Sequence, residues 1–252
     1  MTLLLKTAGH KVWSRFMRYD SVIFDLYGTL VDILTDETPQ SFWQSIANLY
    51  KERGANYTAD EVRDGYFEAI NLQRVNKDEF FEPDLYKVFN RLFVLKSVVV
   101  TRADIKQVAI KFRQLSTVKL LVYTGVKEAL IKLKENGVKI YLLSNAQALF
   151  TMYELKNLGL DKLFDDIFIS SDWAISKPSE RFFELPIKKH RLNAKRTLMV
   201  GNDPICDILG AKKMGLDTAY FKTETSPKDI TPDANYLFDG CQIDKIVEIV
   251  LD

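Results

Sequence analysis

The second half of the chain alternates between short apolar runs and segments of helical spacing, and this alternation limits the fold more than any other feature. Predicted helices end at Gly137, Gly159 and Gly215, because glycine readily adopts the left-handed backbone that closes a helix. Predicted strands cover 138–143, 167–169, 197–200, 218–221 and 236–238. Strands that alternate with helices form parallel sheets covered on both faces. The sequence therefore predicts an α/β fold with a Rossmann-like, doubly wound parallel sheet.

A first strand at Tyr19–Phe24 precedes this alternation and is followed by a long helical stretch. Apolar residues recur at helical spacing from 35 to 115, and Thr58–Glu61 has the spacing of a capping box. We therefore expect a helical block at 35–115, inserted into an α/β domain formed by 19–34 and 116–252.

Composition narrows the class of protein. The chain has 252 residues, 47% of them hydrophobic and 27% charged, which is typical of a folded globular protein. Its formal net charge is +1, so no nucleic-acid partner is expected. No apolar run approaches the roughly 20 residues of a transmembrane helix. The two cysteines are too few for a disulfide framework and favour a reducing compartment, so we expect a cytoplasmic protein.

Segment 1–18 forms a basic N-terminal extension without any acidic residue. Its apolar run, Leu3–Leu5, is shorter than the roughly 7–15 residues of a signal-peptide core. We expect a surface extension or a wrongly assigned start codon. An amphipathic arm that touches a membrane is the alternative, although no stable membrane association is predicted.

Polar side chains follow four of the predicted strands, at the edge where parallel sheets bind ligands. These segments are Asp25–Thr29, Ser144–Asn145, Ser176–Pro178 and Gly201–Asp207. Each one alone has an ordinary interpretation, since aspartate and serine often cap turns or helices and a lone lysine usually lies at the surface. Their shared position at one edge of a sheet favours a common site.

The residue types in these segments fit one chemistry. Asp25 can act as a nucleophile that forms a covalent intermediate, and Lys177 can neutralise negative charge. Thr29 can hydrogen-bond back to its own loop, and Gly28 lets that loop turn sharply. An oxygen-rich cluster suited to Mg²⁺ is formed by Asp25, Asn202, Asp203 and Asp207.

Taken in order, the four segments resemble the four motifs of the haloacid dehalogenase (HAD) superfamily. The matching stretches are Phe24–Leu30, Leu143–Asn145, Ser176–Pro178 and Val200–Ala211. The resemblance runs from Asp20 to the last helix. It implies that 35–115 is the helical cap of this superfamily and that 19–34 and 116–252 form the catalytic core.

The resemblance also implies a role for each polar residue. The catalytic residues would be Asp25, Tyr27 and Lys177. The substrate-binding residues would be Thr29, Ser144 and Asn145. Mg²⁺ would be held by Asp25, the backbone carbonyl of Tyr27, Asn202, Asp203 and Asp207. Whether Asn202 or Asp203 binds the metal directly stays open in the sequence.

Tyr27 departs from the pattern that the resemblance implies for a phosphatase. The phosphatases of this superfamily usually have aspartate at this position, where it protonates the leaving group and then activates water. A phenol with an unperturbed pKa of ~10 is poorly suited to this task at neutral pH. The dehalogenases of the superfamily have tyrosine there, because a halide leaves without a proton. Arginines of the helical block could hold a halide, although exposure to solvent is the simpler interpretation for Arg53, Arg63 and Arg74.

Three functions are therefore compatible with the sequence. The acidic metal motif favours a Mg²⁺-dependent phosphatase of a small phosphorylated metabolite, since the haloacid dehalogenases work without a metal. The alternatives are a metal-independent 2-haloacid dehalogenase and a non-catalytic binding protein with the HAD fold. The presence of both Asp25 and Lys177 weighs against the last. We expect a small-molecule substrate, either a phosphomonoester or a haloacid, and a monomer or homodimer.

Overall fold

Eight strands and ten α-helices lie in the part of the chain that the structure describes, residues 17–75 and 77–252 of a computed structural model. The strands are β1 (Ser21–Phe24), β2 (Val31–Thr35), β3 (Thr117–Val122), β4 (Lys139–Ser144), β5 (Asp166–Ile169), β6 (Thr197–Gly201), β7 (Asp217–Lys222) and β8 (Tyr236–Asp239). Six of them form a parallel sheet in the order β5-β4-β1-β6-β7-β8. The predicted doubly wound α/β fold is confirmed.

The ten α-helices all follow β1 in the chain. They are α1 (Gln40–Lys51), α2 (Ala59–Arg74), α3 (Leu85–Leu95), α4 (Arg102–Ser116), α5 (Val126–Glu135), α6 (Ala148–Leu158), α7 (Ser170–Trp173), α8 (Glu180–His190), α9 (Gly210–Lys213) and α10 (Ile243–Leu251). The helix predicted at 205–214 is instead a π-helix, Pro204–Leu209, that continues into α9. No helix in the described part of the chain is long and apolar enough to cross a membrane.

β1 lies in the middle of the sheet, between β4 and β6. Phe24 lies opposite Leu142 on one side and Val200 on the other, so the residues that follow these three strands emerge at the same edge. Alternate side chains of β1 enter two apolar clusters, with Val22 and Phe24 in one and Ile23 in the other. Burial on both faces explains why these strands are continuous apolar runs in the sequence.

β2 and β3 form a separate antiparallel ribbon that the sequence analysis did not predict. Val31 pairs with Val122 and Thr35 pairs with Thr117. Because a long helical stretch separates the two strands in the chain, no hairpin turn marks the pair. The ribbon joins that helical stretch to the parallel sheet.

The four helices between β2 and β3 form the helical insert, which we define as residues 40–116. They enclose an apolar cluster of their own. The predicted capping box is present, because Glu61 N–H donates to the Thr58 hydroxyl and Thr58 N–H donates to the Glu61 carboxylate. Phe150 of α6 joins this cluster by stacking on Phe112 at 6.4 Å. The predicted role of this region as a cap stays a prediction, and the predicted extension 1–18 lies outside the described residues apart from its last two.

Candidate active site

Asp25 and Lys177 meet at the carboxyl edge of the sheet. Asp25 directly follows β1, and its backbone N–H donates to the carbonyl of Val200 at 3.0 Å. Lys177 Nζ lies 2.7 Å from Asp25 Oδ1, 2.7 Å from Asp207 Oδ1 and 2.7 Å from the carbonyl of Leu143. An ammonium group has three protons to donate, so the lysine is fixed by all of them.

Burial and charge act in opposite directions on these groups. Burial would lower the pKa of the Lys177 ammonium, but Asp207 and Asp25 outweigh it and raise that pKa above its ordinary value. Burial raises the pKa of the Asp207 carboxyl to about 7, with Lys177 opposing the rise and Asp25 adding to it. Buried charges persist when they are paired. With both carboxyls ionised, two negative charges face one positive charge, so the cluster can accommodate a further cation.

Asp207 organises the loop after β6. Its Oδ2 accepts from the backbone N–H groups of Asn202 and Asp203 at 3.1 and 3.0 Å, while its Oδ1 accepts from Lys177. Gly201 permits this approach, since a Cβ there would lie 2.3 Å from Asp207 Oδ2. Both carboxylate oxygens are therefore already engaged within the protein, and direct metal binding by Asp207 stays a prediction.

Asn202 presents its amide carbonyl toward Asp25. Its Nδ2 donates to Thr225 Oγ1 at 3.0 Å and lies 3.4 Å from Thr223 Oγ1. Its Oδ1 lies 3.2 Å from Thr29 Oγ1, which is also 3.1 Å from Asp25 Oδ2. Because a hydroxyl has one proton to donate, Thr29 leaves one of these two oxygens free to bind a cation or a ligand.

Close packing of the nucleophile loop depends on Gly28. Its φ of +81° lies in the left-handed region, and a Cβ there would lie 2.2 Å from Thr225 Oγ1 and 2.3 Å from Asn202 Nδ2. The carbonyl of Gly28 accepts from Thr223 Oγ1 at 2.6 Å. A larger residue would push the loop after β1 away from the loop after β7.

Ser144 and Asn145 act differently, although they are neighbours in the chain. The Ser144 hydroxyl is buried, lines the cavity beside Asp25 and has no hydrogen-bond partner within the described residues. A buried hydroxyl left alone is costly, so it is available to a ligand. Asn145 instead holds the segment of Lys177: its Oδ1 accepts from the Lys177 N–H at 2.7 Å, and its Nδ2 donates to the Lys177 carbonyl at 2.9 Å.

The hydroxyl of Tyr27 is engaged with α6. It donates to Glu154 Oε2 and lies 3.1 Å from Thr151 Oγ1. Burial, together with the charge of Glu154, raises the pKa of the phenol well above its ordinary value. A phenol in this state does not supply or accept protons near neutral pH, so the predicted catalytic role of Tyr27 has no support from its side chain.

The oxygens beside Asp25 fit Mg²⁺ as a donor set. Asp203 uses Oδ1 to accept from the N–H groups of Ile205 and Cys206 at 2.8 and 2.7 Å. The side chains of Asp25, Asn202 and Asp203 carry oxygens of the carboxylate and carbonyl types that Mg²⁺ prefers, and the ion usually keeps several waters. Within residues 17–75 and 77–252, no three acidic, histidine or cysteine side chains converge as a ready metal cluster. Magnesium therefore stays a prediction that these oxygens can accommodate.

A cavity of about 210 Å³ opens at this edge of the sheet. It is lined by Asp25, Tyr27, Ser144, Asn145, Lys177, Asn202, Asp203, Cys206, Asp207 and Thr225. Cys206 and Thr225 were not predicted. Thr225 lies in the loop after β7, a strand end that the sequence analysis did not consider. Among the described residues, none from the helical insert lines this cavity, and that includes Arg53, Arg63 and Arg74.

Comparison with known proteins decides the family. A family model for haloacid dehalogenase-like hydrolases matches residues 22–221, which include the helical insert and all four strand-end segments. The chain belongs to this family. The resemblance noted in the sequence is therefore confirmed, and the protein is a haloacid dehalogenase-like hydrolase.

Two curated relatives of this hydrolase are glyceraldehyde 3-phosphate phosphatases. The protein from Pyrococcus abyssi is 30% identical over 98 residues, which are 39% of this chain and only 41% of that protein. The protein from Methanothermobacter thermautotrophicus is 26% identical over 204 residues, which are 81% of this chain and 86% of that protein. Both similarities concern proteins whose names state a phosphatase activity.

The fold is shared with a dehalogenase as well. A crystal structure of 2-haloacid dehalogenase from Pseudomonas syringae pv. Tomato superposes with a TM-score of 0.62 at 16% identity, covering 92% of this chain and 97% of the other. At this identity the likeness shows the fold alone. The choice between the two activities has to come from the residues of the site.

Proposed function

We propose that this HAD-like hydrolase is a Mg²⁺-dependent phosphatase of a small phosphorylated metabolite, with Asp25 as the nucleophile. The observation that carries the proposal is the cavity that Asp25, 2.7 Å from Lys177, shares with Ser144, whose hydroxyl has no hydrogen-bond partner among the described residues. Polar or charged side chains line this cavity, with Cys206 as the exception, and Asp25, Asp203 and Asp207 contribute carboxyl groups. Such a cavity suits a hydrated phosphate with a cation better than the alkyl part of a haloacid.

The first half of the reaction transfers the phosphoryl group to the protein. The carboxylate of Asp25 attacks phosphorus, and the bond between phosphorus and the ester oxygen breaks as that oxygen leaves with the electron pair. Lys177 stabilises the carboxylate in its ionised form and neutralises charge beside it. Ser144 donates a hydrogen bond to a phosphoryl oxygen. Mg²⁺ bound by Asp25, Asn202 and Asp203 would neutralise charge on the phosphoryl group.

The second half releases phosphate. Water attacks phosphorus, the bond from phosphorus to Asp25 breaks, and the carboxylate is restored while the water gives a proton to solvent. Because Tyr27 is bound to Glu154 and does not act as an acid, the leaving oxygen departs without a proton from that position. We therefore propose that the preferred substrates are acyl or aryl phosphates, whose leaving groups are stable as anions.

The regional organisation is part of the same proposal. Residues 35–115 form a cap that selects the substrate, and 19–34 together with 116–252 form the catalytic core. The separate apolar cluster of the helical insert supports this division. The unpaired state of Cys206 and Cys241 supports a cytoplasmic enzyme.

Dehalogenation of a 2-haloacid is the alternative, and Tyr27 is the observation that favours it. In that reaction Asp25 attacks carbon, a halide leaves without a proton, and an ester of Asp25 is then hydrolysed. The two reactions require the same nucleophile and differ in their need for a metal.

A substrate panel with and without metal separates the functions. We expect phosphate release from acetyl phosphate and p-nitrophenyl phosphate with Mg²⁺, none with EDTA, and none from Asp25→Asn. Chloride release from 2-chloropropionate in EDTA, with every phosphate ester inert, would establish the dehalogenase instead. Inactivity on both classes would leave the non-catalytic binding protein.

A further inference from the structure

A second buried charge cluster lies where the helical insert meets the core. Arg113 is in the last turn of α4, four residues before β3 begins. Its Nε donates to Glu154 Oε1 at 2.6 Å, and its Nη2 donates to Glu154 Oε2 at 3.4 Å. Glu154 belongs to α6 of the core. This two-point contact therefore bridges the insert and the core beside the ribbon that joins them.

The same cluster includes Tyr27, which lies two residues after the proposed nucleophile Asp25. The Tyr27 hydroxyl donates to Glu154, and the Arg113 guanidinium lies 5.4 Å from the centre of the Tyr27 ring. Arg113 also lies 5.6 Å from the ring of Phe150, which packs in the apolar cluster of the insert. We call Arg113, Glu154, Tyr27 and Thr151 the hinge cluster.

Burial makes this cluster stiff. The Glu154 side chain is 4% exposed and that of Arg113 is 17% exposed. A buried carboxylate held by a guanidinium and a phenol has little freedom, because losing the guanidinium leaves its charge without compensation and losing the phenol removes a hydrogen-bond donor. Tyr27 lies two residues after Asp25, so whatever fixes the tyrosine ring also limits movement of the nucleophile loop.

We infer that Arg113 and Glu154 are positioning residues, which clamp Tyr27 and so couple the placement of the Asp25 loop to the placement of the helical insert. Tyr27 then serves to hold the Asp25 loop in place and takes no part in proton transfer. The loop beyond it is closed by hydrogen bonds from Gly28 N–H to the Val31 carbonyl at 2.7 Å and from Leu30 N–H to the Leu26 carbonyl at 2.8 Å. These amides report directly on whether the clamp holds the loop.

Hydrogen–deuterium exchange tests the inference without any substrate. The variants are Glu154→Gln, Arg113→Lys and Tyr27→Phe, with Arg63→Lys as control, since Arg63 is an insert arginine paired with Asp60 and Asp64 at the surface. We expect exchange of amides 28–31 to accelerate about tenfold in the three variants and to be unchanged in the control. Should one variant fail to fold, the other two test the same clamp. Faster exchange confined to α4 and α6, with 28–31 unchanged, would overturn the inference.

Kinetics supply the second readout and rest on the proposed phosphatase activity. With acetyl phosphate, we expect kcat to fall about tenfold, KM to change little and the pH–rate profile to keep its shape. Glu154→Gln combined with Tyr27→Phe should lose no more than Glu154→Gln alone, because both break one clamp. A wild-type protein inactive on every phosphate would refute the proposed function and leave exchange as the test of the clamp. Loss of one limb of the pH profile in Tyr27→Phe would show proton transfer by the phenol and overturn a positioning role.

Discussion

The two buried charge clusters of this hydrolase look alike in geometry and differ in charge balance. In the candidate active site, Lys177 lies 2.7 Å from each of two carboxyl groups, so the cluster carries an excess of negative charge when both are ionised. In the hinge cluster, one guanidinium matches one carboxylate at 2.6 Å, and a phenol completes the set. The unbalanced cluster can accommodate a cation and a ligand, whereas the balanced one is complete without either.

The two clusters also differ in whether their polar groups are available to a ligand. Beside Asp25, the Ser144 hydroxyl has no partner in the described structure and faces a cavity. Around Glu154, both carboxylate oxygens accept hydrogen bonds from the protein. Groups with unused hydrogen-bonding capacity are the ones that bind substrate, and fully satisfied groups fix the shape of the site.

The largest effect is expected from Lys177→Met. It leaves Asp25 and Asp207 buried without their cation, so we expect activity to fall at least about a thousandfold and the free energy of unfolding to drop by ~3–5 kcal/mol. Urea denaturation and steady-state kinetics measure both. Lys139→Met is the control, since that exposed lysine pairs with Asp165 at 2.9 Å and should cost under ~1 kcal/mol. Equal losses in the two variants would contradict the importance of the central lysine.

Arg113→Met should come next. The substitution leaves the buried carboxylate of Glu154 without its cation. Because Arg113 is partly exposed, water can reach the space that its guanidinium leaves, so we expect a loss of ~2 kcal/mol in the free energy of unfolding. Activity should fall about tenfold, far less than in Lys177→Met, because no group that touches substrate is lost. A loss of activity as large as that of Lys177→Met would erase the distinction between the clusters.

Tyr27→Asp sharpens the comparison. On the phosphatase hypothesis an aspartate here supplies the missing acid, but it is too short to replace the phenol at Glu154, whose buried negative charge would lose that hydrogen-bond donor. We therefore expect the rate ratio of alkyl to acyl phosphates to rise about tenfold in Tyr27→Asp combined with Glu154→Gln, and less in Tyr27→Asp alone. Initial rates on glycerol phosphate and acetyl phosphate give this ratio. No gain in either variant would count against a missing acid as the limit on substrate range.

The smallest effect is expected from Thr225→Val. It removes the hydroxyl that accepts from Asn202 Nδ2 at 3.0 Å, so the amide is less firmly turned with its carbonyl toward Asp25. We expect Mg²⁺ affinity, measured by calorimetry, to weaken about threefold to tenfold, in line with one lost hydrogen bond. Thr231→Val, in the same exposed loop, should have no effect. Unchanged affinity in Thr225→Val would show that Asn202 needs no such support.

Much of the site could be predicted because Asp25 directly follows β1, Ser144 ends β4, and Lys177 lies beyond the end of β5, after the short helix α7. The three residues line one cavity, as the parallel-sheet rule predicts, since β5, β4 and β1 are neighbours in the sheet. The ribbon of β2 and β3 could not be predicted in the same way, because its strands are far apart in the chain and share no turn.

The hinge cluster could not be predicted from the sequence either. Glu154 and Arg113 lie on ordinary helical segments, and only the packing of α6 against α4 brings them to Tyr27. Helical spacing reveals which residues share a face of one helix, not which helix packs against it. The unusual tyrosine itself was the one available signal that the surroundings of Asp25 differ from the pattern of the phosphatases.

A single turnover in water labelled with oxygen-18 tests most directly whether water attacks phosphorus, as in a phosphatase, or the carboxyl carbon of Asp25, as in a dehalogenase. With excess enzyme, acetyl phosphate and Mg²⁺, water that attacks the phosphorus of an aspartyl phosphate places the label in inorganic phosphate and leaves the Asp25 carboxylate unlabelled. Mass spectrometry of the released phosphate and of the peptide that contains Asp25 measures both. We predict label in phosphate alone. Label in the Asp25 carboxylate would mean that water attacks an ester of this residue, as in dehalogenation, and would contradict the phosphatase assignment.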